Sequence, residues 1–318
     1  MNIDEFDRSK IEGASRSGMG ASSGLELPEP LTRSNVLAVV VSYRAPRTLR
    51  RTVEALTKQI DAVHVVDNGS GPETDEVLDR LTSTPGVTVE RLGKNLGVGR
   101  ALNCGVLRAQ RLGYGWVLTM DQDSIPQDAF LSSYQQALCE VPSLASLAPI
   151  IGAVDPAPAR NTVVDHTMTS GHLVRRDVYD VVGHYSEDYF VDCIDFDFCL
   201  RLDRAGYHTH RIAGAVLVHA LGEPFRAPRL LRKLYSRHSP VRRYYMYRNY
   251  LYLAESHYRS RPAFILRRGL GQLILLPLIG LFDTHPLRSY AAVCVGVRDY
   301  IFRKRGQYQG SLLHASDS

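Results

Sequence analysis

Asp121 and Asp123 stand one residue apart at the end of the apolar run Trp116–Met120. Where a strand ends, alternate side chains leave on the same side, so these two carboxylates can face one small volume. Held that close, they repel each other unless a positive charge sits between them. A hard divalent cation, Mg²⁺ or Mn²⁺, meets that need: it takes few protein carboxylates and completes its shell with substrate phosphate oxygens. On these two residues alone, a solvated Asp-x-Asp turn is the competing reading.

A second group of acids, Asp192, Asp195 and Asp197, precedes the apolar set 198–202 at helical spacing. Acids at that place complement a helix N-terminus. One of them could instead be aimed into a cleft as a general base, and the spacing supports both readings equally. His219 follows the run Leu217–Val218. It is a third metal ligand or a hydrogen-bonded loop histidine, and unaided the second is the plainer reading.

The elements that must position these groups follow a regular pattern. Val36–Val41 is a continuous run typical of a strand buried on both faces. Further strands are expected at 62–66, 87–92 and 116–120, alternating with helices at 47–57, 74–81 and 95–112. Such alternation implies a parallel sheet covered by helices on both faces, and ligands then bind at the carboxyl edge of the strands. Ser42–Tyr43, Asp67, the turn 93–95 and Asp121/Asp123 all lie there, which suits a nucleotide site. Neither G-x-G-x-x-G after the first strand nor G-x-x-x-x-G-K-[ST] occurs, so dinucleotide and P-loop readings lose their support. Beyond 120, helices are expected at 128–138 and 178–183 and strands at 147–151 and 169–174.

The 318 residues carry a formal charge of +5. Twelve Arg or Lys against two acids fall between Leu221 and Arg268, a local field suited to an anionic partner. No RNA-binding signature accompanies it, and no nucleic-acid partner is expected. The five scattered cysteines form no C-x-x-C pair, as expected of reduced thiols in a cytosolic protein without a zinc site. Residues 1–34 read as a disordered leader, with no signal peptide. The run Leu270–Phe282, interrupted by Pro277, reads as too short and broken to span a membrane. It suits an interfacial helix, or equally a core or homodimer-interface helix.

From Asn35 to about Leu253 the chain resembles family-2 inverting glycosyltransferases of the GT-A fold, and more closely their bacterial L-rhamnosyltransferase branch. The resemblance rests on VVVSY at 39–43, VVDNGS at 65–70, NLGVGRALNCG at 95–105, LTMDQDS at 118–124, SGHLVRRDVYDVVG at 170–183, FVDCIDFDFCLR at 190–201, VHALG at 218–222 and RRYYMYRNYLYL at 242–253. It implies a Rossmann-like, mostly parallel sheet with helices on both faces in a GT-A domain over 35–225. A basic helical C-terminal region over 226–318 would follow, with a membrane-interfacial role open to it.

The resemblance also implies roles. Asp67 would contact the nucleotide base or ribose. Ser42, Tyr43, Asn95, Gly97, Asn103, Asp121 and Gln122 would lie around the nucleotide. Asp121, Asp123 and His219 would hold the metal. Asp195 would be the catalytic base, with Asp192 the alternative because Ile194 replaces the usual Glu. Asp197 would be structural. Arg242, Arg243 and Arg248 are candidate helpers for the leaving diphosphate, or else solvated or lipid-facing residues. The expected donor is a nucleotide sugar, dTDP-L-rhamnose. The expected acceptor is a glycan or lipid-linked glycan, met in the cytoplasm or at the inner face of the plasma membrane. A UDP- or GDP-sugar donor is the first alternative. A catalytically degenerate membrane- or RNA-binding scaffold is the second.

Overall fold

A computed structural model describes residues 29–44, 46–152, 160–219, 235 and 237–310. Residues 1–28 of the predicted leader 1–34 and the basic stretch with Arg226, Arg229, Arg232 and Lys233 lie outside them, as does the proposed boundary at 225/226. Residues 29–34, assigned to the leader on composition, are docked instead. Leu31 is buried, and the Trp116 indole N–H donates to the Glu29 carbonyl at 3.2 Å. One large apolar side chain beside a core tryptophan outweighs the polar average of the segment.

The first half is three βα units and a fourth strand. Strands β1 (Val36–Ser42), β2 (Ala62–Asp67), β3 (Val87–Arg91) and β4 (Trp116–Asp121) alternate with helices α1 (Pro46–Thr57), α2 (Pro72–Thr82) and α3 (Val98–Leu112). They pair in parallel, in the order β3-β2-β1-β4. All seven residues of β1 are buried. Alternation along it feeds two cores. Val36, Ala38 and Val40 pack with Leu49 and Val53 of α1 and Leu78 of α2. Leu37, Val39 and Val41 pack with Ala101, Leu102 and Val106 of α3. Each buried Val or Leu contributes about 1.5–3 kcal/mol.

The second half comprises β5 (Ser124–Pro126), α4 (Phe130–Glu140), β6 (Ser146–Ile151), β7 (Thr162–Val164), β8 (His172–Arg175), α5 (Val178–Val182), α6 (Ile194–Arg204) and β9 (Thr209–His219). Here the expectation of a mostly parallel sheet needs correction. Among the described residues, β6–β9 is parallel, but β4–β8, β5–β9, β6–β8 and β7–β9 are antiparallel. The sheet is therefore mixed. Antiparallel neighbours need no long crossover, and this half has short strands that often follow one another without a helix between.

Among the described residues the helices α7 (Pro240–His257), α8 (Pro262–Phe282) and α9 (Pro286–Ile301) follow. Tyr252 and Leu253 of α7 lie in the same buried cluster as Val39 and Phe198 of α6, so α7 is part of the core on the α6 side. The reading of 270–282 as too short and broken is also corrected: the run belongs to α8, which continues through Pro277 for 21 residues. Proline there removes one intrahelical donor. The Tyr247 hydroxyl donates to the Gln272 carbonyl and the Tyr290 hydroxyl to the Leu276 carbonyl, each at 2.8 Å, and brace the helix around it. By length and composition α8 could cross a membrane.

Candidate active site

The carboxyl ends of β1, β2 and β4 and the end of β9 converge on the Asp121–Ser124 turn. Period-two alternation sorts this turn. Gln122 points away from its flanking acids and stitches β4 to the end of β1. Its Oε1 accepts from the Tyr43 N–H at 2.7 Å, and its Nε2 donates to the Tyr43 carbonyl at 2.8 Å. Asp121 and Asp123 face the other way. Antiparallel pairing of β5 with β9 sets Ser124 opposite His219, delivering an imidazole from 95 residues away to the acids. One ligand atom each from Asp121, Asp123 and His219 lies within 4.8 Å of the others. His219 Nδ1 is 2.6 Å from Ser124 Oγ and 3.4 Å from Asp123 Oδ1.

Electrostatics agree with a cation site. Burial pushes the Asp121 carboxyl up; His219 pulls it down and Asp123 pushes it up again, leaving it at about 6. The Asp121 main-chain N–H donates to Ser170 Oγ at 3.1 Å, and the Thr119 hydroxyl donates to the Thr169 carbonyl at 2.5 Å. The segment before β8 thus fixes the end of β4. Two carboxylates and one imidazole form an oxygen-rich donor set suited to Mg²⁺ or Mn²⁺.

The three acids of the second group have different environments. Asp197 is spent on structure: it accepts from Arg201 Nε at 2.9 Å and pairs with His257 at 3.0 Å. Burial pushes it up, but these bonds outweigh burial and hold it below the ordinary carboxylate range. Asp195 lies in the first turn of α6 with Oδ1 accepting from the Phe196 N–H at 2.9 Å. Burial pushes Asp195 up, Asp192 adds to it, and the carboxyl sits at about 6. Asp192 precedes the helix with φ 59°. Its Oδ1 accepts from Arg242 at 3.2 Å, and its buried Oδ2 has no partner. Burial raises Asp192 and Arg242 draws it back.

The turn carrying these acids is strained. Phe190, Asp192 and Cys193 all have positive φ, a region costly for residues with a Cβ. Helix α7 holds it in place. The Asn249 side-chain amide donates to the carbonyls of Tyr189 (2.9 Å), Val191 (2.6 Å) and Asp192 (3.2 Å). Arg248, fully buried, donates to the carbonyls of Tyr189 (3.2 Å) and Gly306 (2.8 Å). From the other side the Val98 N–H donates to the Phe190 carbonyl at 2.8 Å. A Cβ at Gly97 would stand 2.8 Å from that same carbonyl oxygen, so this approach requires glycine.

The remaining expected site residues divide as follows. Asp67 accepts from the N–H groups of Gly69 and Ser70 and from the Ser70 hydroxyl. Asn95 accepts from Asn68 and the Gly97 N–H, both at 3.0 Å. These two shape the loops at the β2 and β3 edges. Asn103 is buried, and its amide is spent on Tyr185 and Glu187. Ser42 is fully buried, with a hydroxyl that has no partner. Of the cationic helpers, Arg243 forms a buried pair with Asp283 at 3.1 Å and Arg248 is a structural donor, so neither is solvated or lipid-facing. Arg242 alone borders the site: it bonds Asp192, and its charge also lowers Asp121.

Sequence reasoning missed Ser170 and the bracing role of Arg248 and Asn249. A signal for the last two existed: an Arg-Asn pair inside the Tyr-rich segment RRYYMYRNYLYL, which has no separate polar face, cannot face only solvent.

Residues 37–180 match the family Glycosyl transferase family 2. The chain is 28% identical over 250 residues to the dTDP-rhamnosyl transferase RfbF of Shigella flexneri, covering 70% of this chain and 81% of that protein. It is 27% identical over 252 residues to the galactofuranosyltransferase GlfT1 of Mycolicibacterium smegmatis, covering 69% and 82%. The solved mannosyltransferase PcManGT from Pyrobaculum calidifontis, in complex with GDP-Man and Mn²⁺, matches with a TM-score of 0.54 at 14% identity, over 85% of this chain and 88% of that one. The fold is thus the GT-A arrangement, and the chain carries a glycosyl transferase family 2 domain.

Proposed function

We propose that this glycosyltransferase moves an L-rhamnosyl group from dTDP-L-rhamnose to a hydroxyl of a glycan or glycolipid acceptor, with inversion at the anomeric carbon. The observation that carries the reading is the meeting of Asp121, Asp123 and His219 at one point, with ligand atoms within 4.8 Å, in a site that also holds raised carboxyls. The rhamnosyl donor is favoured by the RfbF likeness, and the likeness to a galactofuranosyltransferase is the reason to test other nucleotides beside dTDP.

Asp121, Asp123 and His219 would hold the divalent ion, Mg²⁺ or Mn²⁺. When bound, such an ion neutralises the charge that builds on a departing diphosphate. The rest is the work of side chains. Asp195 has one oxygen held by the Phe196 N–H, which fixes the carboxylate and leaves the other oxygen to accept the acceptor's hydroxyl proton. The hydroxyl oxygen forms its bond to the anomeric carbon from the face opposite the diphosphate. The bond from that carbon to the diphosphate oxygen breaks, and the electron pair leaves with the nucleotide. A carboxyl at about 6 is ionised near neutrality and more basic than an ordinary aspartate. Arg242, between Asp192 and Asp121, adds positive charge where the leaving group develops its negative charge. Asp192 serves as Arg242's anchor.

Calorimetric titration with dTDP, UDP and GDP, each with and without Mn²⁺ or Mg²⁺, tests this on the wild type and Asp123→Ala. Metal-dependent dTDP binding that the variant loses is the expected result. Preference for UDP or GDP would replace the donor, and absence of all nucleotide binding would remove the transferase reading.

A further inference from the structure

Helix α8 has two faces of different character. The inner one is fastened to the protein. Phe264, Ile265 and Ile279 are buried, and three tyrosine hydroxyls donate to its main chain: Tyr250 to Ile265 at 2.9 Å, Tyr247 to Gln272 at 2.8 Å and Tyr290 to Leu276 at 2.8 Å. Gly269 lets Tyr250 come close, since a Cβ there would stand 2.2 Å from its hydroxyl. The outer face is exposed. Leu266 (74% exposed), Leu270 (56%), Leu273 (62%), Ile274 (54%) and Leu281 (71%) stand at i, i+4, i+7, i+8 and i+15, on one side of a helix about 30 Å long, and form one apolar stripe. Monomeric soluble proteins rarely leave such a stripe uncovered.

Charge says what covers it. Between Glu255 and Asp299 six arginines stand against three acids; Asp283 is buried against Arg243, Asp299 pairs with Arg298 and Glu255 with Arg303. Arg259 and Arg288 are exposed beyond the two ends of the helix. Arg267 is exposed beside Leu266; it reaches Asp165, 3.5 Å away, and lies over the Phe264 ring. An apolar stripe flanked by guanidinium groups complements acyl chains beneath anionic headgroups. The tyrosine clasp decides the orientation: crossing a bilayer would require α8 to leave three hydrogen bonds and carry Arg267 and Arg268 inward.

We infer that the outer face of α8 docks in-plane on an anionic phospholipid surface. The inference stands apart from the choice of donor. It also has a bearing on the site: the Arg268 guanidinium stacks 3.8 Å from the Phe196 ring centre, so α8 abuts the turn bearing Asp195. A docked α8 sets that cleft beside the headgroups.

Vesicle flotation of the full chain, without nucleotide, tests this. Vesicles of phosphatidylcholine alone are compared with vesicles mixed with phosphatidylglycerol. The chain is expected to float with the anionic vesicles, less at high salt, and to be released by alkaline carbonate. Leu273→Asp with Leu281→Asp should weaken binding at least tenfold while leaving the thermal melt and dTDP affinity unchanged. Arg259→Glu with Arg288→Glu should weaken it on anionic vesicles without touching the stripe. No flotation of the wild type, unaltered flotation of the leucine variant, or retention through carbonate would each overturn the proposal. So would a dimer in solution that the leucine variant dissociates, which would give the stripe to a second copy.

Discussion

The Asn249 amide reaches the Val191 carbonyl at 2.6 Å across 58 residues of chain, and the same nitrogen meets the carbonyls on either side, of Tyr189 and Asp192. One side chain on α7 thereby sets the backbone that aims Asp192 and Asp195. Asn249→Ala leaves three carbonyls of a strained turn without that donor. A displacement of the base by about 1 Å costs on the order of 10²-fold. The expected outcome is kcat down at least tenfold with dTDP affinity, measured by calorimetry, within twofold of wild type. Equal losses in both would place Asn249 in the nucleotide site.

Asp195→Asn removes the base and keeps the acceptor for the Phe196 N–H. Initial-rate assays should show a loss of about 10²–10⁴-fold. Stability moves the opposite way. The Asp195 carboxyl is raised from an ordinary 3.8 to about 6 in the fold, so its ionisation works against the native state. That penalty is absent below about pH 4, grows between 4 and 6, and is complete above 6. The asparagine variant should therefore melt higher than wild type at pH 7.5, by an amount corresponding to at most about 3 kcal/mol, and at the same temperature at pH 4. A lower melt at pH 7.5 would show that the carboxylate is stabilising.

The pH profile follows from the same group. Proton transfer needs Asp195 ionised, so kcat should fall toward tenfold per unit as pH drops below about 6. A profile flat from 7 to 5 would remove Asp195 from the role of base.

Metal removal should weaken nucleotide binding. His219→Ala takes the imidazole from the cluster and leaves Asp121 and Asp123 facing each other. Calorimetry should show dTDP affinity at least tenfold lower in Mn²⁺, and unchanged between the variant and wild type in chelator. Affinity untouched by the substitution in Mn²⁺ would make His219 only a partner of Ser124.

Arg243 and Asp283 test the opposite kind of residue, one the sequence offered as a helper. Their pair is almost fully buried. Arg243→Leu leaves Asp283 uncompensated and should cost about 3–5 kcal/mol in thermal or denaturant unfolding, with dTDP affinity retained by the folded fraction. The double change with Asp283→Leu should recover a good part of that loss.

The first half of the fold was legible because its signals are local. The run Val36–Val41 has nowhere to go but a doubly covered strand, and Asp121, Gln122 and Asp123 sort by period two without help from distant chain. The second half was less so. Nothing in Thr162–Val164 or Ser124–Pro126 announces antiparallel pairing, because three-residue strands show no periodicity. The arginines failed for a different reason. Arg242, Arg243 and Arg248 are alike on paper, and only the packing of α7 sends one to the site, one to Asp283 and one beneath the acid turn. Asn103 was placed beside the nucleotide by likeness alone, whereas its amide bonds satisfy the chain around Tyr185.

The pairing of β5 with β9 also has a kinetic meaning. His219 reaches Asp123 only when a strand more than ninety residues downstream closes on a three-residue partner. Contacts of such sequence separation must meet the entropy of closing a long loop, which slows their formation. A partly folded chain therefore presents two acids and no imidazole. Tight metal-assisted donor binding then becomes a report on finished folding, and the donor itself, present during refolding, should draw the last strand into place.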